Sequence, residues 1–250
     1  MIITTTGIAF LFSSAGLAFC GIRFFEAFKS VGGQNSRRNA GILVSAYYFF
    51  TSVQHLILAL GATIFANSPS SFLAIISANN LLLSFIAAWG VYTVFYIVYP
   101  KSSPWPSILI TLLVGLLLFF LNIIEYSPPN VTVSNSLDWN ISRSTAMALI
   151  YISVVAIGSP IVIFIKNILY LEGKVRNIFS ILCFLQLLGV INVMYLFGGS
   201  LYSIGESTNY FFDRLLLFIG IVFIFFFFVM PIIHRTSQEN NKITQGKDVK

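Results

Sequence analysis

Residues 42–66 read ILVSAYYFFTSVQHLILALGATIFA, residues 71–99 read SFLAIISANNLLLSFIAAWGVYTVFYIVY, and the turn Asn67-Ser68-Pro69-Ser70 joins them. At about 1.5 Å of rise per residue, each run is long enough to cross a ~30 Å hydrocarbon layer as a helix. Neither alternates in the short segments of about 10 residues that a membrane barrel would need. Both runs also carry groups that lipid-facing helices lack. Gln54 and His55 lie in the first, Asn79 and Asn80 in the second. The apolar length decides the fold class; the polar pairs are the lead to function.

Comparable runs fill most of the chain. Of 250 residues, 57% are hydrophobic and only 9% are charged, against about 25% charged in a soluble domain. The spacing predicts an all-α, polytopic membrane protein: a seven-helix bundle over 1–233, then a polar, disordered cytoplasmic tail over 234–250. The expected helices are Gly7–Phe25, Ala40–Ala66, Ser71–Tyr99, Ser107–Tyr126, Ser144–Ile168, Val175–Phe197 and Tyr210–Ile233. Loops are expected over Ser30–Asn39, around Pro100, Pro104 and Pro106, over Ser127–Arg143, and over Gly198–Asn209. Proline breaks helix continuation and stiffens short connectors. Pro160 falls inside the fifth helix, where its missing N–H frees a carbonyl.

Orientation follows from Lys and Arg. With the N-terminus outside, twelve fall on the inner side (Arg23, Lys29, Arg37, Arg38, Lys101, Lys166, Lys174, Arg176, Arg235, Lys242, Lys247 and Lys250) and two, Arg143 and Arg214, on the outer. This bias predicts N-terminus out and C-terminus in, a multi-pass protein of the cell membrane. It also accounts for the net charge of +6 without nucleic acid as a partner. The sequons at Asn130 and Asn140 fall in the loop assigned outside, open to glycosylation in a suitable host. Cys20 and Cys183 lie within spans, where packed thiols are expected.

Counting residues from the helix ends gives depth. His55, Asn79, Asn80 and Asn192 come out at one level in the outer half, Gln54 beside them, and Gln186 about one and a half turns deeper than Asn192. Lipid cannot satisfy such groups, so they face the bundle interior. Two arrangements follow from that: an outward-opening polar pocket for a small ligand, or interhelical hydrogen bonds that fix packing. Glu125, Asp213 and Arg214 stand at outer helix ends, as candidates for the pocket mouth or simply as ends meeting water.

The acids fall at helix ends, in loops or in the tail, and His55 and His234 are far apart. No metal pair, phosphate loop or Ser/His/Asp arrangement occurs, so no catalytic residue, metal or cofactor is expected. The seventh helix has no lysine for a retinal Schiff base and the third no acidic counter-ion, which excludes a retinal-binding rhodopsin.

The run Phe95-Tyr96-Ile97-Val98-Tyr99-Pro100-Lys101 and the short return into helix four, the long loop before helix five, and the Gly189-to-Asn192 segment resemble the seven-helix membrane modules of prokaryotic sensor histidine kinases. That resemblance implies sensing in the membrane or from outside. Only 17 residues follow Ile233, too few for a kinase, so a signal would pass through another protein. The expectation is a non-enzymatic sensory or accessory protein that binds a small ligand or a membrane or cytoplasmic partner. The alternatives are a small-solute transporter, which needs a continuous polar path, and a structural subunit of a larger membrane complex.

Overall fold

The computed structural model of the chain describes residues 3–29, 35–66, 68–170, 173–202 and 205–229. The tail 234–250, with His234, lies outside them. Seven helices make up the fold: α1 (Thr5–Lys29), α2 (Asn35–Leu60), α3 (Pro69–Ile97), α4 (Trp105–Ile124), α5 (Arg143–Tyr170), α6 (Gly173–Tyr202) and α7 (Gly205–Ile224). All seven are long and apolar enough to cross a membrane. A π-helical turn extends α2 over Gly61–Phe65 and another extends α7 over Phe225–Val229.

Six helices close a ring in the order α1, α2, α3, α5, α6, α7 and back to α1; α4 stands outside it against α3 and α5. That position explains α4's composition. Its wide apolar face, including Leu109, Leu113, Leu117 and Phe120, is exposed, as on a helix that turns one side to lipid. The ring closes where α1 and α7 touch backbone to backbone. A Cβ at Gly220 would lie 2.6 Å from the Ser13 amide nitrogen, and one at Gly16 would lie 2.6 Å from the Phe223 Cβ. Small residues permit that approach.

Three expectations on the connections need correcting. Gly198–Asn209 is not a loop: α6 runs on to Tyr202 and α7 begins at Gly205. Glycine costs a helix about 1 kcal/mol but does not forbid it, and Leu201-Tyr202 continue the apolar run. Likewise α2 starts at Asn35, so Arg37 and Arg38 belong to its first turns and not to a loop. Last, the 127–143 segment holds a small antiparallel hairpin, β1 (Asn130–Val131) against β2 (Leu137–Asp138). Strands of two residues leave no alternating pattern to read.

The hairpin folds back onto the helix ends. Asn135 takes a positive φ of 60° at its tip, which asparagine tolerates better than most residues. Its carbonyl accepts from the Thr5 amide at 2.9 Å, and its side-chain amide donates to the Ile3 carbonyl at 2.7 Å. The Thr6 hydroxyl accepts from the Leu137 amide at 2.8 Å and donates to Asp213 at 2.7 Å. Three distant parts of the chain are thereby joined at one end of the bundle, the hairpin end.

Candidate functional site

Inside the ring, under the hairpin, lies a cavity of about 180 Å³. Its walls come from all seven helices. Gln54, His55, Asn79, Asn80, Gln186 and Asn192 all line it, among apolar side chains such as Phe10, Leu58, Phe72, Leu149, Phe197 and Leu216. The α2 and α3 residues are neighbours in the ring, and α6 faces them across it.

The roof is Trp139, just past β2. Its ring meets Phe10 of α1 edge-on at 6.1 Å and Phe72 of α3 at the same distance. Aromatic pairs at this spacing contribute packing beyond area alone. Leu137 beside it is fully buried.

The floor is made by bonds that cross the ring. Gln186 of α6 donates from Nε2 to the Tyr48 hydroxyl of α2 at 3.2 Å. Tyr47, the residue before it, donates its hydroxyl to the Ala156 carbonyl of α5 at 2.8 Å. Pro160 is the cause of the second bond: four residues on from Ala156, it has no N–H to offer that carbonyl. Below the floor the interior is solid with rings. Phe24 stacks on Tyr48 at 5.6 Å and on Phe164 at 6.4 Å, and Phe164 packs on Phe179 at 5.6 Å.

Between roof and floor the polar groups differ in how well they are satisfied. The Ser13 hydroxyl and His55 Nδ1 share a hydrogen bond of 2.8 Å, and Phe10 meets the imidazole edge-on at 5.3 Å. Asn192 donates from Nδ2 to the Phe212 carbonyl at 3.2 Å, which fixes its amide orientation. Its Oδ1 is left without a partner, as are Asn79 Oδ1 and Asn80 Nδ2. These three side chains are 2–4% exposed. A buried unpaired polar atom costs about 1–3 kcal/mol; Asn192 offsets part of that with its bond to α7, whereas among the described residues the Asn79 and Asn80 side chains make no such bond. Ser153 of α5 and Asn122 of α4 also line the cavity, and Asn122 donates to the Ser77 hydroxyl at 3.3 Å.

Of the three residues at the expected mouth, only Glu125 lines the cavity. Its carboxylate accepts from the hydroxyls of Ser142 and Ser144, the latter at 2.6 Å, and from Thr145 at 3.3 Å. Ser142 caps α5, its hydroxyl accepting the Thr145 amide at 3.2 Å. Glu125 thus sits against the positive end of α5, and the hydroxyl donors, Ser142 first, hold its carboxyl below the ordinary value.

Asp213 is not at a water-facing helix end: α7 begins at Gly205, which places Asp213 two turns in and buried, under the hairpin with Thr5 and Thr6. Arg214 is exposed, its guanidinium 4.9 Å from the Tyr210 ring centre. Asn130 is exposed on β1. Asn140 is exposed too, and donates to the Ser127 hydroxyl and, at 3.3 Å, to the Pro128 carbonyl. Cys20 and Cys183 are free and buried. Among the described residues no group of three or more His, Cys, Asp or Glu could hold a metal ion.

Sequence reasoning missed the roof, the floor and Asn122. Signals for each exist: a tryptophan amid Ser, Asn and Asp at 139, the Tyr47-Tyr48 pair beside Pro160's reach, and one amide closing an otherwise apolar fourth run. No family model matches this chain, and neither a curated protein nor a solved structure matches it.

Proposed function

We propose that the chain is a non-enzymatic membrane protein of sensory or accessory type, inserted with the N-terminus outside, which receives a small ligand in the roofed cavity. The observation that carries this reading is the trio of unpartnered amide atoms on Asn79, Asn80 and Asn192. Polar atoms buried without partners are what a site built to be completed by a ligand leaves open. The Lys and Arg distribution supports the orientation, and with it an approach from outside. The layout shared with the membrane modules of sensor kinases supports a sensory role, with the signal handed to a separate membrane or cytoplasmic protein.

Transport is the second reading, and the floor weighs against it. A carrier needs an aqueous route to the other side, whereas Tyr47, Tyr48 and Gln186 bridge the ring and stacked rings fill the space beneath.

Cysteine accessibility separates the two. In a background lacking Cys20 and Cys183, Asn140→Cys and Asn192→Cys react with a membrane-impermeant methanethiosulfonate added outside intact cells, the second more slowly. Neither reacts from the inner side in inverted vesicles. Reaction of N192C from the inner side would mean a water path through the floor and would replace the receptor reading with transport.

A further inference from the structure

Resting on that reading, we infer that the cavity takes a small uncharged molecule whose apolar body is about the size of one ring and whose head both donates and accepts hydrogen bonds, a primary carboxamide being the simplest such head. The unbonded amides set the chemistry of the head. Asn192 Oδ1 is an acceptor without a donor, and among the described residues no bond holds the Asn79 or Asn80 amide in one orientation, so each can turn either a donor or an acceptor towards a ligand. Asn192 cannot answer its own need by turning over, because its Nδ2 is engaged with the Phe212 carbonyl. A primary carboxamide offers two N–H groups and one carbonyl oxygen, so it can meet Asn192 Oδ1 with a donor and the other two amides in either orientation.

Charge and size narrow the class. Apart from Glu125 at the rim, no lining side chain is an Asp, Glu, Lys or Arg, and Glu125 is already held by three hydroxyls. The imidazole of His55 is engaged with Ser13. A charged head would be taken out of water with no opposite charge to meet it, at a cost far above that of a neutral one. The cavity, about 180 Å³, is slightly larger than an apolar cavity of about 150 Å³ that admits benzene. Its walls are mostly aromatic and aliphatic, which suits a ring or a short branched chain as the body. Ordered water, the competing occupant, would satisfy the same amides without using those walls.

The test is a matched series of ligands on the unaltered protein in detergent, read by thermal shift and by titration calorimetry. Benzamide is expected to raise the melting temperature and to bind saturably. N,N-dimethylbenzamide, which keeps the carbonyl and ring but has no donors, is expected to bind at least about tenfold more weakly. Benzoate at pH 7.5 is expected not to bind. Asn192→Leu and Asn79→Leu should each weaken benzamide by about tenfold or more while leaving the remaining affinity for toluene unchanged.

Equal binding of benzamide and its dimethyl analogue would overturn the need for a donating head, and binding of benzoate would overturn neutrality. Failure of the whole series would leave water as the occupant and overturn the inference. That result is distinguishable from failure of the functional reading, which shows instead as inner-side labelling of Asn192→Cys. Because the ligand series needs no substitution, a variant that fails to fold does not rescue the inference.

Discussion

Between Tyr48 and Arg23 the interior of the ring is filled, Phe24, Phe164, Phe179 and Phe223 packing on one another and on Tyr48. Between Tyr48 and Trp139 the same helices enclose a cavity lined by amides. In the filled half the polar groups are few and engaged. The Tyr48 hydroxyl has Gln186, and Arg23, at the far end, donates from Nε to the Phe227 carbonyl at 2.9 Å and pairs with Glu26 at 2.7 Å. In the open half three amide atoms wait unpaired. The contrast teaches a division of labour along each helix: one half is spent on packing, and the other gives up packing for a site. Helix α2 shows the switch within two turns, from Tyr47 and Tyr48 to Gln54 and His55.

If that division holds, substitutions in the two halves should fail in different ways. The largest effect is expected from Phe164→Ala, which removes a fully buried ring. It should lower unfolding free energy by about 3–5 kcal/mol, measured by denaturant titration in mixed micelles. A loss below about 1 kcal/mol would show that the filled half does not hold the bundle together.

Asn80→Leu should do the reverse. It replaces an unbonded buried amide by a side chain of the same branched shape, so stability should hold or rise by about 1 kcal/mol, while benzamide binding is lost. A strongly destabilised N80L would mean that the amide serves packing after all.

The smallest effect belongs to Glu125 at the rim of the open half. Its carboxyl titrates below the ordinary value in the folded protein, so the unfolded chain binds a proton first as pH falls. The stabilisation is therefore present above pH about 4.5 and is lost as pH drops through the folded value. Melting temperature measured from about pH 6 to about pH 3 should fall more steeply in the wild type than in Glu125→Gln. Parallel slopes would remove Glu125 as a source of the pH dependence.

How much of this was legible in the sequence depends on the range of the force involved. Seven long helices follow from apolar length, a local property, and Asn79, Asn80 and Asn192 stand out because so few amides interrupt those runs. Depth along a helix is also local, which is why His55 and Asn192 fall at one level by counting alone. The order of the ring is not local. Nothing in the fourth run, LITLLVGLLLFFLNII, says that it stands outside, although its nearly uniform apolarity is what an outside helix needs. The roof was illegible for a different reason: Leu137 and Trp139 acquire their burial from Thr5, Thr6, Phe10 and Phe72, residues far away in sequence. Gly198 misled because the tendency of glycine to end helices is a preference of about 1 kcal/mol, outweighed by the apolar residues that follow.

The contact of α1 with α7 through Gly16 and Gly220 has a consequence for how the protein comes into being. Helices α1 and α7 close the ring, so α1 waits through the synthesis of α2 to α6 before its partner emerges. Until then the wall of the cavity has a gap one helix wide, and Asp213, which binds Thr6 under the hairpin, has not yet been made. The polar layer of α2 and α3 is therefore open on one side until α7 joins α1. Chains normally fold in the order of synthesis; here the site is the last thing to form, and a truncated product would lack both its wall and the fastening of its roof.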